Sequence, residues 1–233
     1  MNSDPIYLVT GAAGHLGYTI VMQLVNDGHK VRALVLPQDA LGSRLPREVQ
    51  IVRGDVLDKR SLDIFFTVPP GVDTYLIHSA GIVTTSLKYR QIVYDVNVQG
   101  TKNILEAAMK HEVKKMVYVS SVHAIPELPK GQVISEVAYF DKSLVYGMYS
   151  KTKAEATQAV LEAAAKGLNV TVVHPSGICG PHSHACNYAT QLVIDCWKGL
   201  LPMGVEGGYD FVDVRDVASG TISSCHRGEK GEC

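Results

Sequence analysis

Tyr149 and Lys153 are four residues apart in the stretch YGMYSKTKAEA, within a helical pattern that runs from about Gly147 to Ala165. Side chains at this spacing project from one face of a helix, so the phenol and the amine should lie side by side. Ser120 and Ser121 end the strand-like run KKMVYVSS. A tyrosine, a lysine and a serine that converge could hold and move a proton at a substrate oxygen. Singly, each has a structural alternative, as a packed aromatic, a solvated charge or a strand-end cap.

Three glycines, Gly11, Gly14 and Gly17, recur at intervals of three in VTGAAGHLGYTI, after an apolar run and before a helical pattern. This context is typical of a dinucleotide fingerprint. The first glycine permits a tight turn, the second lets the backbone approach a pyrophosphate, and the third lets the helix pack on the sheet. The free N–H groups at the helix start would bind the phosphates. The alternative is a glycine-rich turn without a ligand.

The elements that must position these residues alternate along the chain. Apolar, β-branched runs predict strands over 5–10, 30–35, 49–54, 74–80, 114–121 and 169–175. A helix follows the glycine turn, and further helices are predicted over about 93–110 and 147–165. Strands that alternate with helices indicate βαβ units and a parallel sheet covered on both faces. After Pro181 the alternation of strand and helix patterns is lost, and we expect a substrate-binding insert there.

Composition narrows the class of partner. The 233 residues include 22 Lys plus Arg and 23 Asp plus Glu, a net charge of -1, which gives no electrostatic reason to expect nucleic acid or a membrane surface. No apolar run approaches the roughly 20 residues that span a bilayer, and the N-terminus does not resemble a signal peptide. The five cysteines lie in the last third of the chain. We therefore expect reduced thiols and a cytoplasmic protein.

Together these motifs resemble the extended short-chain dehydrogenase/reductases, a family with a doubly wound α/β Rossmann fold. Further matches are RGDVLD (53–58), HSAG (78–81), NVQGTKNILEAA (97–108), VHPSGICGP (173–181) and FVDVRDVASG (211–220). The resemblance implies an NAD(P)-binding domain over 1–175. It implies a partial substrate-binding region over 176–233, whose late strand and helix return to the core. Relatives usually continue past GEKGEC, so we expect the part that covers the substrate to be truncated.

The resemblance also implies site residues. The catalytic set would be Ser121, Tyr149, Lys153 and Asn97, with Asn97 either relaying protons or shaping its helix. The cofactor would contact Tyr149, Lys153 and residues of five further segments: Gly11, Ala13, Gly14, His15, Leu16 and Gly17; Arg32; Asp55 and Val56; Ser79, Ala80 and Gly81; and Pro175 and Ser176.

The implied activity is NAD(P)H-dependent reduction of a small-molecule aldehyde or ketone. Tyr149 would supply the proton, and Lys153 would favour the phenolate and bind the nicotinamide ribose. The nearest subgroup contains dihydroflavonol reductase-like and cinnamoyl-CoA reductase-like enzymes. The alternatives are a UDP-sugar epimerase or dehydratase, and a non-catalytic NAD(P)-binding sensor. A homodimer through the two long helices is expected by analogy.

Three residues bear on which nicotinamide is used. NAD-preferring sites usually place an acidic residue near the end of the second strand. Here Leu36 occupies that region and Asp39 comes late. Arg32 matches an arginine that reductase relatives direct at the 2′-phosphate, so we expect NADP(H) over NAD(H). The alternative for Arg32 is a solvated strand residue.

The stretch CGPHSHACNY contains four residues of types that can bind metals, Cys179, His182, His184 and Cys186. Their spacing fits no standard zinc pattern, so we expect a polar substrate loop and no metal. His123 follows the serine pair and is expected at the rim of the pocket. His174 stands where the family usually has arginine.

Overall fold

The core of the protein is a six-stranded parallel sheet with the strand order β3-β2-β1-β4-β5-β6. We describe it from a computed structural model, over residues 4–129, 131–184, 188–204 and 207–233. The strands are β1 (Ile6–Thr10), β2 (Lys30–Val35), β3 (Gln50–Arg53), β4 (Thr74–His78), β5 (Lys115–Val119) and β6 (Val170–Val173). The predicted doubly wound α/β fold is confirmed.

Helices cover both faces of this sheet. They are α1 (His15–Asn26), α2 (Lys59–Phe66), α3 (Gln91–Tyr94), α4 (Thr101–Lys110) and α5 (Met148–Ala165). A π-helical turn, Asp95–Gly100, joins α3 to α4, so the helix predicted over 93–110 contains a change of helical type. Short 3₁₀ turns cover Ala40–Arg44 and Val122–Ala124.

Alternating strand residues build two hydrophobic layers. Leu8, Leu76 and Met116 pack with α2, α4 and α5 on one face. Tyr7, Val9 and Ile77 pack with α1 on the other. Successive side chains of a strand point to opposite faces, so a continuous apolar run serves both layers.

The C-terminal part adds a second, smaller sheet. It pairs β7 (Gly177–Cys179) with β8 (Phe211–Asp213) in parallel, with α6 (Tyr188–Trp197) between them in the chain. The last helix, α7 (Val214–Arg227), contributes Val214, Ala218 and Cys225 to the layer that contains α1. Lys115 anchors its end, because the ammonium donates to the Gly228 carbonyl at 2.8 Å. Helix α7 therefore packs on the core, whereas within the described residues β8 pairs only with β7, in the second sheet.

The direction of the strand order reverses between β1 and β4. In open α/β sheets, ligands bind at such a switch point, outside the carboxyl ends of the strands. Of the helices in the described ranges, none is long and apolar enough to cross a membrane.

Candidate active site

A cavity of about 700 Å³ opens at this reversal. Segments far apart in the chain meet around it: the glycine turn, the loop after β4, the end of β5, the start of α5 and the segment after β6. The predicted site residues that line it are Gly11, Gly14, His15, Leu16, Gly17, Ser79, Gly81, Ser121, Tyr149, Lys153, Pro175 and Ser176. Most of the site predicted from the sequence thus converges on one cavity.

Tyr149 lies in the first turn of α5. Burial raises the pKa of its phenol to about 12, and a hydrogen bond with Ser121 acts in the opposite direction. The expected stabilisation of the phenolate by Lys153 is therefore not the dominant effect in this structure. Tyr149 is protonated at neutral pH, which is the form that a general acid requires.

Lys153 lies one turn further along α5, and its ammonium is buried. It donates to the Val119 carbonyl at 2.8 Å and lies over the ring of Tyr118, 5.0 Å from its centroid. Burial lowers the pKa of Lys153 to about 8. The aromatic face partly offsets the cost of placing a charge here, because a cation is attracted to the ring quadrupole.

The two serines that follow β5 have different hydrogen-bond partners. The Ser120 hydroxyl bonds with Thr157 Oγ1 of α5 at 2.6 Å, so it faces the helix. Ser121 Oγ accepts a hydrogen bond from the His123 amide at 3.2 Å, and it also bonds Tyr149. This geometry favours Ser121 as the serine that contacts the substrate, as the family resemblance implied.

The glycine turn has the shape that the fingerprint requires. Gly11 has φ +66, and a Cβ on it would lie 2.7 Å from the Ala80 amide nitrogen. A Cβ on Gly17 would lie 2.1 Å from the Gly11 carbonyl oxygen, so glycine alone allows α1 to start here. Gly14 differs, because a Cβ there would have one neighbour within 4 Å, Gly11 O at 3.2 Å. Its other side faces the cavity, at the start of α1.

This cradle fits a dinucleotide pyrophosphate. The loop after β4 forms its opposite wall, and its first residue is fixed because the Ser79 hydroxyl donates to the Thr10 carbonyl at 2.8 Å. Ala80 lies directly against Gly11, while Ala13 is buried in the layer with α1. Ala13 therefore contributes packing rather than a side chain to the cavity.

Asn97 lies beneath the cavity, within the π-helical turn. Its amide accepts a hydrogen bond from the Ile82 amide at 2.7 Å and donates to the Ile82 carbonyl at 3.0 Å and to Thr152 at 3.1 Å. These bonds hold the loop after β4 against α5. The arrangement favours the structural alternative for Asn97, and its relay role stays a prediction.

The structure contradicts the prediction for Arg32. This side chain is buried, and its guanidinium donates to the carbonyls of Phe65 at 2.8 Å and Thr67 at 2.6 Å and to Gln50 at 2.9 Å. These bonds close the C-terminal end of α2. Arg32 is the third of the six residues of β2, so its side chain is committed to α2 and is not directed to the carboxyl edge.

Asp55 and Val56 form the turn after β3 and lie outside the cavity lining. The Asp55 carboxylate accepts a hydrogen bond from the Leu57 amide at 3.0 Å. Val56 packs on the π-helical turn, since a Cβ on Gly100 would lie 2.6 Å from it. Their contact with an adenine stays a prediction.

His123 and Tyr209 form a polar pair in the cavity wall, with the Tyr209 hydroxyl 2.6 Å from His123 Nε2. His123 was expected at the rim, but Tyr209 was not predicted. It precedes β8 in a segment without periodicity, and its position depends on a pairing between strands far apart in the chain. The unusual His174 is held below Ser121: its Nδ1 lies 3.1 Å from the Ser121 carbonyl and its ring stacks on Phe140.

The histidines of CGPHSHACNY fold towards α1 rather than around one point. His182 and His184 contact the ring of Tyr18, and His15 Nε2 lies 2.8 Å from the Pro181 carbonyl. Within the described ranges, no three His, Cys, Asp or Glu side chains form a group that could hold a metal. Cys186 lies outside those ranges.

Known proteins resemble this chain over nearly its whole length, and they agree with the family that the sequence motifs resemble. "Sterol demethylase protein B" of Methylococcus capsulatus is 33% identical over 227 residues, which cover 97% of this chain and 67% of that protein. A "putative dihydroflavonol 4-reductase" of Synechocystis is 31% identical, covering 96% of this chain and 64% of the relative. The chain thus spans about two thirds of the length of these relatives.

Among solved structures, UDP-glucose 4-epimerase of Thermus thermophilus, in complex with NAD, superposes with a TM-score of 0.81 at 26% identity. The match covers 96% of this chain and 75% of that chain. The profile described as "NAD dependent epimerase/dehydratase family" matches residues 7–232. With the glycine cradle and the Ser121–Tyr149–Lys153 set in one cavity, the chain belongs to the NAD dependent epimerase/dehydratase family.

Proposed function

We propose that this chain forms the nucleotide-binding and catalytic part of an NAD(P)H-dependent oxidoreductase that reduces the carbonyl group of a small aldehyde or ketone. The observation that carries the proposal is the position of Tyr149, bonded to Ser121, in a cavity that is continuous with the glycine cradle. Relatives that include a putative dihydroflavonol reductase support a reductase.

Different residues of the cavity would bind the cofactor, hold the substrate and transfer the proton. The glycine turn and the loop after β4 would hold the dinucleotide, and Lys153 would contact its nicotinamide ribose. The bound reduced nicotinamide supplies the hydride. Ser121 and Tyr149 hold the carbonyl oxygen, and Tyr149 gives it the proton as the alcohol forms. Burial raises the pKa of this phenol, so Tyr149 holds at neutral pH the proton that the reduction consumes.

The cavity wall favours an apolar carbonyl compound over a nucleotide sugar. Beyond Tyr149 most of the wall is apolar and includes Val83, Ile178, Leu192 and Phe211, although Thr84 and Thr85 also line it. Burying apolar surface against such a wall contributes about 25 cal/mol per Å² of area removed from water. A nucleotide sugar would gain little from these contacts.

We also propose NADP(H) as the preferred cofactor, on residues other than Arg32. The Arg53 guanidinium lies at the carboxyl end of β2, where it donates to the Leu36 and Asp39 carbonyls at 3.1 and 2.9 Å. Arg44 ends the 3₁₀ turn that follows the same strand. A guanidinium at this edge can hold a phosphate through paired hydrogen bonds.

The preference is tested by fluorescence titration of NADPH and NADH into the wild type and into the variants Arg53→Met and Arg32→Met. We expect Arg53→Met to weaken NADPH at least 5-fold more than NADH, as expected for the loss of a charge-assisted hydrogen bond. Arg32→Met should leave the ratio of the two affinities unchanged. A wild type that prefers NADH would overturn the proposal.

The activity is tested with a panel of aldehydes and ketones, by the absorbance of the reduced cofactor. We expect Tyr149→Phe to lower turnover by roughly 100-fold or more, since general acid catalysis contributes about 10²–10⁴-fold. Cofactor affinity should stay within about twofold, because the phenol contributes chiefly to chemistry. Tyr146→Phe removes an exposed phenol three residues earlier and is the matched control. Undiminished turnover in Tyr149→Phe would contradict the assignment of Tyr149 as the general acid.

A further inference from the structure

The bond between His123 and Tyr209 lies in a mainly apolar wall. The described lining on this side of the cavity includes the apolar residues Val83, Ile178, Ala189, Leu192 and Phe211, together with Thr84, Thr85 and Tyr188. Within it, the Tyr209 hydroxyl and His123 Nε2 are 2.6 Å apart. A hydroxyl and an imidazole together can donate to a substrate or accept from it. The pair therefore offers a polar anchor to a substrate whose body is apolar.

The position of Tyr209 is built into the fold. A Cβ on Gly177 would lie 2.5 Å from the edge of the Tyr209 ring, so glycine is required for the ring to lie there. The backbone below is fixed because the Gly177 amide donates to the Asp210 carbonyl at 3.0 Å. The ring also contacts Phe211, with centroids 5.3 Å apart.

His123 is held from the other side by the 3₁₀ turn Val122–Ala124, which Ser121 caps. Its amide donates to Ser121 Oγ, the atom proposed to contact the reacting carbonyl. The imidazole lies edge-on to Tyr149, with ring centroids 6.2 Å apart, and 5.8 Å from the ring of Tyr209. The imidazole is thus a near neighbour of both tyrosine rings.

From this arrangement, and resting on the proposed function, we infer that the substrate is an apolar carbonyl compound with a second oxygen, hydroxyl or oxo, a few bonds from the reacting carbonyl. The reacting oxygen lies at Ser121 and Tyr149. The second oxygen bonds with the Tyr209–His123 pair, which makes this pair a specificity determinant. The apolar body lies against Ile178, Leu192 and Phe211.

The inference is tested with 2-hydroxyacetophenone and acetophenone, two ketones that differ by one vicinal hydroxyl. Binding of each is measured by calorimetry on protein saturated with oxidised cofactor, and turnover is measured separately with the reduced form. We expect the wild type to bind the hydroxyketone roughly 5- to 10-fold more tightly, which is the size of one neutral hydrogen bond. Tyr209→Phe should abolish this difference and leave acetophenone binding within about twofold.

Two controls keep the outcome specific. Tyr146→Phe, which removes an exposed phenol outside the cavity lining, should retain the discrimination. Gly177→Ala, whose Cβ would displace the Tyr209 ring, should lose it as Tyr209→Phe does.

The two proposals fail in different ways. Equal binding of both ketones by the wild type, or discrimination that survives Tyr209→Phe, would overturn this inference even if both are reduced. Discrimination in binding without turnover of either ketone would support the anchor and contradict the reductase proposal.

Discussion

His78 ends β4 as a fully buried imidazole between two threonines. Its Nδ1 lies 2.7 Å from Thr10 Oγ1, and its Nε2 lies 3.1 Å from Thr101 Oγ1. Because the Thr101 hydroxyl donates to the Asn97 carbonyl, its oxygen is left to accept from Nε2–H. A neutral imidazole therefore satisfies both partners. Burial lowers the pKa of His78 to about 3, and nearby Lys153 acts in the same direction.

The lowered pKa of His78 predicts that the protein loses stability in acid. The unfolded chain takes up a proton at His78 near pH 6.5, whereas the folded chain does so near pH 3, so the free energy of unfolding falls as the pH drops through this window. One such proton corresponds to about 1.4 kcal/mol per pH unit. We expect denaturant unfolding of His78→Asn to show a shallower decline between these limits than that of the wild type. Equal slopes in wild type and His78→Asn would contradict the role given to the imidazole.

The sequence predicts the positions of some single side chains and not of others. Tyr149 and Lys153 are predictable, because helical spacing alone fixes their common face. Arg32 is not, because its partners are carbonyls at the end of α2, more than thirty residues away in the chain. Tyr209 depends in the same way on the pairing of β7 with β8.

At the scale of the element, the turn between β1 and α1 assigns different functions to two of its glycines. Gly14→Val should leave the fold intact, since a Cβ there meets Gly11 O alone, at 3.2 Å, but it should abolish cofactor binding by filling the cradle. Gly17→Ala should impair both folding and cofactor binding, because its Cβ would lie 2.1 Å from the Gly11 carbonyl oxygen. Calorimetry and thermal unfolding separate the two effects. Normal cofactor affinity in folded Gly14→Val would contradict the assignment of the turn.

Helix α2 depends on Arg32 for its C-terminal cap. Arg32→Met removes the donor for two carbonyls and leaves the Gln50 amide without this partner, so we expect the free energy of unfolding to fall by roughly 2–4 kcal/mol. Denaturant unfolding checks this value. Arg60→Met, at an exposed position of the same helix, should change it by no more than about 0.5 kcal/mol. A loss of the same size in both variants would argue against the cap.

At the scale of the whole molecule, two buried cations lie towards the amino edge of the sheet. Arg32 closes α2 on one face, and Lys115 closes α7 on the other through the Gly228 carbonyl and Asn169. The paired arrangement joins the ends of distant helices to the sheet. It leaves the opposite, carboxyl edge to the glycine turn and to the proposed catalytic residues Ser121, Tyr149 and Lys153.

Lys115→Met should therefore loosen α7 more than the rest of the protein. We expect a loss of roughly 1–3 kcal/mol in the free energy of unfolding and faster amide exchange along 214–227, because the helix loses its anchored end. Lys114→Met alters the exposed neighbour and provides the control. Uniform exchange changes across the sheet would indicate a general rather than a local effect.

The six strands of the main sheet were predictable, because each is a short apolar run, and so were helices α1, α4 and α5, whereas α2 and β7 were not predicted. Beyond Pro181 the pattern fails for a physical reason. Helix α6 has no buried residues in the described structure, and it contributes Tyr188, Ala189 and Leu192 to the cavity lining instead of packing in the core. Helix α7, which does pack on the core, follows a motif that the sequence already indicated.

The π-helical turn Asp95–Gly100 constrains insertions and deletions near the site. Such a turn holds one residue more than regular α-helix, and each residue advances a helix by about 100°. Removing the exposed Gln99 would restore standard helical geometry, yet it would rotate Asn97 away from Ile82 relative to Thr101 and His78. The shortened segment would be more regular as a helix but would no longer hold the loop after β4. Length in this segment is therefore under tighter constraint than residue identity at its exposed positions.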